Sequence, residues 1–398
     1  MSGQDCDIAI IGGGLSGGLI ALALAQQRPD LSVLLMEAGE ELGGNHRWSW
    51  FATDLGAADK ALMAPFRKTE WSGGYEVHFP AYSRTLEADY RSLASPDFAA
   101  TLARELQQGA VMTGTRVAAL DPGGVTLADG RRISARTVID CRGIAETSSL
   151  EGGWQVFMGR HLRTPAPHGV STPVIMDAKV AQLGGYRFVY VLPLGACDLF
   201  IEDTYYQDSP ELDRSTLSAR LDEYAAAHGW AGELVGHETG VLPVITGGDF
   251  AAYQAAHRVP GVAMAGARGG FVHPLTSYTV PIAVKVALAI AQDADLPGDQ
   301  MAARLEARAR EHWRRTGFYR MLGKILFGAA TPEKRYGVFQ RFYRLNEPLI
   351  ERFYSARSTL ADQARVLTGN PPVPISSAIR ALLSSSPSLD DPNRKTLS

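Results

Sequence analysis

Three features predict an α/β fold: a strand running into Gly12-x-Gly14-x-x-Gly17, long alternating segments between Trp154 and Ile245, and a helical stretch from Arg304 onward. The parts are a Rossmann-type dinucleotide-binding domain, an antiparallel β-sheet substrate domain and a C-terminal helical region. The 398 residues, 45% apolar and 20% charged, describe an ordinary globular chain able to bury its core without a disulfide or metal staple. A net charge of −3 and a pI near 6.3 argue against a nucleic-acid binder. Cys6, Cys141 and Cys197 form no C-x-x-C pair, so a reducing compartment and no metal site are expected. Asp5 and Asp7 stand where a signal peptide needs basic residues. The apolar run Val280 to Ala291 contains Lys285 and is too short to cross a bilayer, so a cytoplasmic location is expected.

Each element follows from its pattern. Ile8-Ala9-Ile10-Ile11 reads as a buried strand, about Leu15 to Gln26 as a helix, and Ser32 to Met36 as a strand ending at Glu37, which completes a βαβ unit. Ser95, as N-cap before Pro96, should start a helix that stops at Gly109. Short strands fill Ala110 to Asp140, broken at Asp121-Pro122-Gly123-Gly124 and Asp129-Gly130. Tyr186, Phe188, Tyr190 and Leu192 share one strand face, and Leu199 to Tyr206 returns after a turn at Pro193 to Ala196. A helix is expected from about Ser215 to His228, a short strand at Val262 to Ala265, and another helix from Thr279-Val280-Pro281. Phe318, Met321, Leu322, Ile325 and Leu326 form a helical stripe, with Arg320 and Lys324 off it.

In the fingerprint, Gly12 makes the tight turn, Gly14 lets backbone approach a pyrophosphate, and Gly17 lets helix and strand pack closely. The helix N-terminus offers amide donors to the phosphates, and Glu37 suits the ribose hydroxyls. Gly44, the strand end at Asp140, and the late turn from Gly266 to Gly270 add three loops, which favours the long FAD molecule over NAD. Singly, each of these turns reads as an ordinary connection.

Phe200-Ile201-Glu202-Asp203-Thr204 lies in an otherwise apolar, aromatic strand. Strand alternation puts Phe200, Glu202, Thr204 and Tyr206 on one face and Asp203 on the other. A carboxyl on an apolar face should keep its proton, but alternation does not say which of Glu202 and Asp203 faces the cleft. Trp48 and Trp50 share a face, which could line an apolar tunnel or pack in the core. His273 could be catalytic or could hydrogen-bond a backbone carbonyl. From Arg304 to Arg357 the chain carries 13 Lys and Arg against 5 Asp and Glu, a net +8. Ten aromatic residues lie between Trp313 and Tyr354, so this region is either a face for anionic membrane or a set of core aromatics under solvated cations.

Together these segments resemble the bacterial lycopene β-cyclase family. The resemblance rests on Asn45-His46-x-Trp48-Ser49-x-Phe51, Phe200-x-Glu202-Asp203-Thr204, and His273-Pro274-x-Thr276-x-Tyr278 followed by Pro281. Arg47 stands where that pattern has a hydroxyl residue, and Ser277 where it has glycine. The resemblance implies redox-neutral acid/base cyclisation of the ψ-end groups of lycopene, or a related acyclic carotenoid, with FAD in its reduced form and NAD(P)H as electron source. It implies Glu202 as the acid that also recovers the proton and Asp203 as its support, beside a lining of Trp48, Trp50, Phe200, Tyr206 and His273. Reduced flavin about 4 Å from a carbocation at an effective dielectric of ~20 contributes about 4 kcal/mol, more than any single aromatic ring. Lycopene's home in the bilayer implies peripheral contact with the inner face of the cell membrane through the basic aromatic helices. Other carotenoid-pathway enzymes are further expected partners. The alternative is an FAD-dependent oxidoreductase, a monooxygenase or prenyl reductase, acting on an apolar isoprenoid. The expected division is 1–70, 90–150 and 255–304 for the FAD-binding domain and 71–89 and 151–254 for the sheet domain. Residues 305–370 are expected to form membrane-facing helices and 371–398 a largely disordered tail.

Overall fold

A computed structural model describes residues 4–390. Its first sheet runs Val111–Met112, Val33–Met36, Cys6–Ile11, Arg132–Asp140, Gly124–Leu127, Val117–Asp121, and Ala263–Met264 also pairs with Arg132–Asp140. The pairings among Val111–Met112, Val33–Met36, Cys6–Ile11, Arg132–Asp140 and Ala263–Met264 are parallel; the last two strands form an antiparallel meander. The helix Leu15–Gln27 is buried along nearly its whole length because the sheet and the helix Val280–Gln292 both cover it. The helix expected from Ser95 spans Ser95–Glu105, with Ala94 as N-cap. Ser95 Oγ instead accepts a hydrogen bond from the His46 amide, and the chain turns extended at Leu106, short of Gly109.

The second sheet runs Glu233–Gly248, Leu150–Arg163, Asp198–Gln207, Tyr186–Pro193, Val174–Asp177, Tyr75–Phe79, Tyr82–Leu86. Its pairings are antiparallel except Val174–Asp177 with Tyr75–Phe79. One face carries Tyr186, Phe188 and Leu192 into an aromatic core; the other carries Val189, Val191 and Ile201 against the helix Arg214–Ala227. A small sheet of Arg47–Phe51, Tyr90–Ala94 and Thr69–Trp71 lies between the two larger ones in the chain's path.

The C-terminal aromatics point inward. Tyr319, Phe339, Phe342, Tyr343, Phe353 and Tyr354 complete the aromatic core of the second sheet, so they do not form an outer docking face. Two cations follow them inward: Arg320 stacks 3.6 Å from the Trp313 ring centre, and buried Arg335 pairs with Asp208 at 2.8 Å. The helix Gly317–Ala329 therefore buries Tyr319, Arg320, Gly323 and Leu326, a face rotated from the expected stripe because Trp313 takes up the Arg320 charge. The expected disordered tail is also corrected. Residues Ile375–Leu383 form a helix on Gly317–Ala329, and Leu389 donates its amide to the Leu150 carbonyl at 2.9 Å. Residues 391–398 of that expectation lie outside the described residues.

The two helices meet at Gly328, where a Cβ would lie 2.8 Å from the Ala381 Cβ. Gly328→Val should therefore lift the terminal helix, at about 1–3 kcal/mol for overpacking. Faster proteolytic cleavage between residues 368 and 374 and a lower unfolding midpoint are expected; cleavage at the wild-type rate would contradict this contact.

Candidate active site

Three turns meet at the carboxyl edge of the parallel strands. Ile11 pairs with Asp140 and Asp140 with Met264, the Cys141 amide donates to the Ile11 carbonyl, and the Ala265 amide donates to that of Asp140. Gly12 has φ +100°, and a Cβ on Gly17 would lie 2.0 Å from the Gly12 carbonyl oxygen, so neither position admits a side chain. Gly14 begins the helix Leu15–Gln27 with nothing within 4 Å of where its Cβ would be, and Gly143 is equally open. Gly44 stands in the next turn, again at positive φ, and Gly266 brings the late turn onto Ser16, while Gly270 turns against Phe250. This cradle of bare backbone at a helix N-terminus fits a pyrophosphate-bearing cofactor. Glu37 accepts the Gly13 and Gly39 amides, each at 2.7 Å, and so ties two turns together. Asp140 is held by Arg142 at 2.8 Å and by Arg268 at 3.6 Å, which makes it a lock between turns.

The strand Arg47–Phe51 begins three residues after Gly44. Trp48 and Trp50 turn to the core of the first sheet, Trp48 with its ring edge-on to Phe98 at 5.1 Å. The opposite face therefore presents Arg47, Ser49 and Phe51 to the second sheet, not the tryptophans. Arg47 sets its guanidinium 5.0 Å from the Phe200 ring centre and donates to Ser92 Oγ at 3.3 Å. Burial lowers its pKa, and the carboxylates of Glu238, Asp97 and Glu202 pull the other way.

Glu202 and Asp203 go to different places. Glu202 is 7% exposed and lies opposite Tyr190 on one neighbouring strand and Gly159 on the other. Thr204 Oγ1 donates to its Oε1 at 2.7 Å, and burial raises its pKa. Asp203 faces the helix side of the sheet, where it accepts from Arg187 at 2.7 Å and Tyr205 at 2.8 Å. The strand's pleat thus keeps Asp203 off the sheet face that holds Glu202. Near Glu202 stand Phe200, Tyr190, and Tyr90 with its hydroxyl 2.8 Å from that of Tyr278. Tyr206 shares the face but donates to the Leu275 carbonyl at 3.1 Å.

Glu238 was not among the residues expected to act. It lies on Glu233–Gly248, 5% exposed and close to Glu202, and burial together with the neighbouring Glu202 carboxyl raises its pKa well above the ordinary carboxylate range. The only cue in the sequence was a carboxylate inside a long strand, a pattern that also suits a solvent-facing position. Arg47 was visible only as a departure from a pattern.

His273 holds loops together. Its Nε2 donates to the Phe353 carbonyl at 3.1 Å, its Nδ1 accepts the Leu275 and Thr276 amides, and Tyr319 covers the ring at 4.6 Å. The turn it anchors holds Ser277 at φ +58°, the left-handed region that suits glycine.

The family described as "Lycopene cyclase protein" matches residues 7–380. The lycopene beta-cyclase of Pseudescherichia vulneris is 44% identical over 97% of this chain and 99% of its own. That of Pantoea ananas is 41% identical over 95% of this chain and 98% of its own. Among solved structures, PqsL of Pseudomonas aeruginosa, a probable FAD-dependent monooxygenase, shares the fold with a TM-score of 0.57 at 16% identity, over 83% of this chain and 97% of that one.

Burial lowers the pKa of His273 to about 3, so it stays neutral in the fold while the unfolded chain protonates it near 6.5. The unfolded state thus binds more protons between those values, and stability falls as pH falls through that window, by up to about 1.4 kcal/mol per pH unit. His273→Gln should flatten the dependence of the urea midpoint on pH between 6.5 and 5 relative to wild type; equal slopes would contradict the assignment.

Proposed function

The chain belongs to the lycopene cyclase family, and from that premise we propose that it is a lycopene β-cyclase, closing the ψ-end groups of lycopene to β-ionone rings by way of γ-carotene to β-carotene. Substrate and product of this reaction are isomers, so the chemistry needs a proton donor and acceptor in a dry, cation-tolerant pocket. Glu202 carries the reading: a buried carboxyl among aromatic rings, oriented by Thr204. Its carboxyl gives a proton to the terminal double bond, the next double bond closes on the resulting tertiary cation, and the carboxylate takes the proton that leaves the ring. Phe200, Tyr190 and Phe51 border this face, and aromatic rings steady a nearby cation by ~0.5–2 kcal/mol each. FAD fits the cradle of Gly12, Gly14, Gly44 and Gly143; in reduced form, maintained by NAD(P)H without net consumption, it supplies negative charge to stabilise the cation.

Glu202→Gln keeps the size of the side chain and loses the transferable proton. It should retain FAD and lose cyclisation by about 10²–10⁴-fold, measured as ring-closed carotenoid per unit time. A FAD-replete variant with wild-type turnover would refute the role.

The same reading places the protein on a bilayer, because its substrate dissolves there. No helix among the described residues is long and apolar enough to span one. The terminal helix Ile375–Leu383 leaves Ile375, Ile379, Leu382 and Leu383 exposed at i, i+4, i+7 and i+8, beside Arg380. An apolar stripe with a flanking cation suits peripheral contact with anionic lipid. Ile379→Glu with Leu383→Glu should sharply reduce co-sedimentation with anionic vesicles while leaving the unfolding midpoint unchanged. Full retention on vesicles would exclude this helix as the contact.

A further inference from the structure

Glu202 meets its second carboxyl through a gap in the sheet. In the antiparallel ladder Glu202 and Glu238 both lie directly opposite Gly159, one on each neighbouring strand. Residues directly opposed across a ladder point to the same face. Two carboxyls from strands that are not neighbours therefore converge over the one position between them that has no side chain. A Cβ on Gly159 would lie 3.0 Å from Glu238 Cγ and 2.4 Å from Phe200 Cζ, so another residue there would push the pair apart. Both carboxyls are buried, and each lies close enough to shift the other's hold on its proton. Two carboxylates brought together in a dry site repel each other, so the pair is stable only when one of them carries a proton.

We propose that Glu202 and Glu238 share one proton over Gly159 and act as a single acid, with Glu238 as the positioning partner and Arg47 as the counter-charge. The pairing stands on geometry; its use in ring closure rests on the cyclase reading. The charged and polar groups around the pair fit this arrangement, with Asp97 a further carboxylate acting on Arg47. Arg47 approaches from the strand Arg47–Phe51, Tyr90 from Tyr90–Ala94, Tyr190 from Tyr186–Pro193, and Thr204 donates from the same strand as Glu202. Asp203 is turned away and compensated by Arg187.

The step balances without a redox partner. The shared proton forms a C–H bond with the π electrons of the terminal alkene and leaves two carboxylates beside Arg47. The next alkene closes the ring, and loss of a ring proton to the carboxylates restores a double bond and the shared proton. Two like charges held this close in a buried site retake a proton readily, which drives the last transfer.

The test uses the full-length, FAD-loaded protein and Glu238→Gln, whose amide keeps the volume and donates to Glu202 but cannot share its proton. Infrared difference spectra across a pH titration should show, in wild type at neutral pH, a protonated-carboxyl band that is missing from the variant. Cyclisation by the variant should fall at least about 50-fold at neutral pH and recover as pH drops, since Glu202 then titrates alone and lower. Glu238→Asp should restore part of the band, and it serves in place of Glu238→Gln if that variant does not fold. A band unchanged by substitution, or a Glu238→Gln enzyme with the wild-type pH profile, would overturn the proposal. The band with no ring-closed carotenoid from wild type would support the shared proton and overturn the cyclase reading instead.

Discussion

The cost of taking charge out of water governs this architecture. Two carboxyls and a guanidinium lie in a sheet face built otherwise from Phe200, Tyr190 and their aromatic neighbours, and in such surroundings an isolated carboxylate costs several kcal/mol. The structure meets that cost with partners: Thr204 on Glu202, Glu238 beside it, and Arg47 reaching in from another sheet. The C-terminal aromatics exist in the same economy of solvent. Tyr319, Phe339 and Phe353 close over the sheet in one buried cluster with Phe200, on the face that holds Glu202.

The strand Arg47–Phe51 couples the two halves of the molecule. One face roots it in the core of the first sheet through Trp48 and Trp50, and the other delivers Arg47 and Phe51 to the second sheet. It starts three residues beyond Gly44, in the turn beside the Gly12 to Gly17 cradle, so that cradle and the sheet face of Glu202 are connected by a short, packed path. His273 performs a comparable task at the other end, tying the late turn to the helix Glu347–Tyr354 through the Phe353 carbonyl. Structural roles for these residues explain why a loop rich in His and Trp need not be a lining.

Much of this was legible in the sequence, and what was not has physical causes. The Gly12 to Glu37 unit could be read because backbone sterics at Gly12 and Gly17 admit no substitute, and the observed strands and helix follow that reading closely. Strand alternation separated Glu202 from Asp203 but was symmetric between faces; the sheet's packing, with Arg187 behind Asp203, decided it. Glu238 was illegible because its meaning depends on Gly159, some 80 positions earlier, and on a register that joins three strands. The C-terminal region misled for another reason. Its cations and aromatics are mixed along the chain, and composition does not distinguish a ring packed inward, as Phe342 is, from one turned to lipid. A stripe of exposed apolar residues instead lies in Ile375–Leu383, within a stretch whose Pro and Ser content suggested disorder.

On the proposed cyclase reading, ring closure is proton transfer without net redox. Mass analysis of the carotenoids formed from lycopene in anionic liposomes, with FAD and a chemical reductant under anaerobic conditions, tests it most directly when run in H₂O and in D₂O. Ring closure by proton transfer gives products isomeric with lycopene in H₂O and, in D₂O, up to one deuterium for each ring closed, the full value marking exchange of the carboxyl proton with solvent between turnovers. Products that differ from lycopene by hydrogen or oxygen, formed as reductant is consumed, would contradict it.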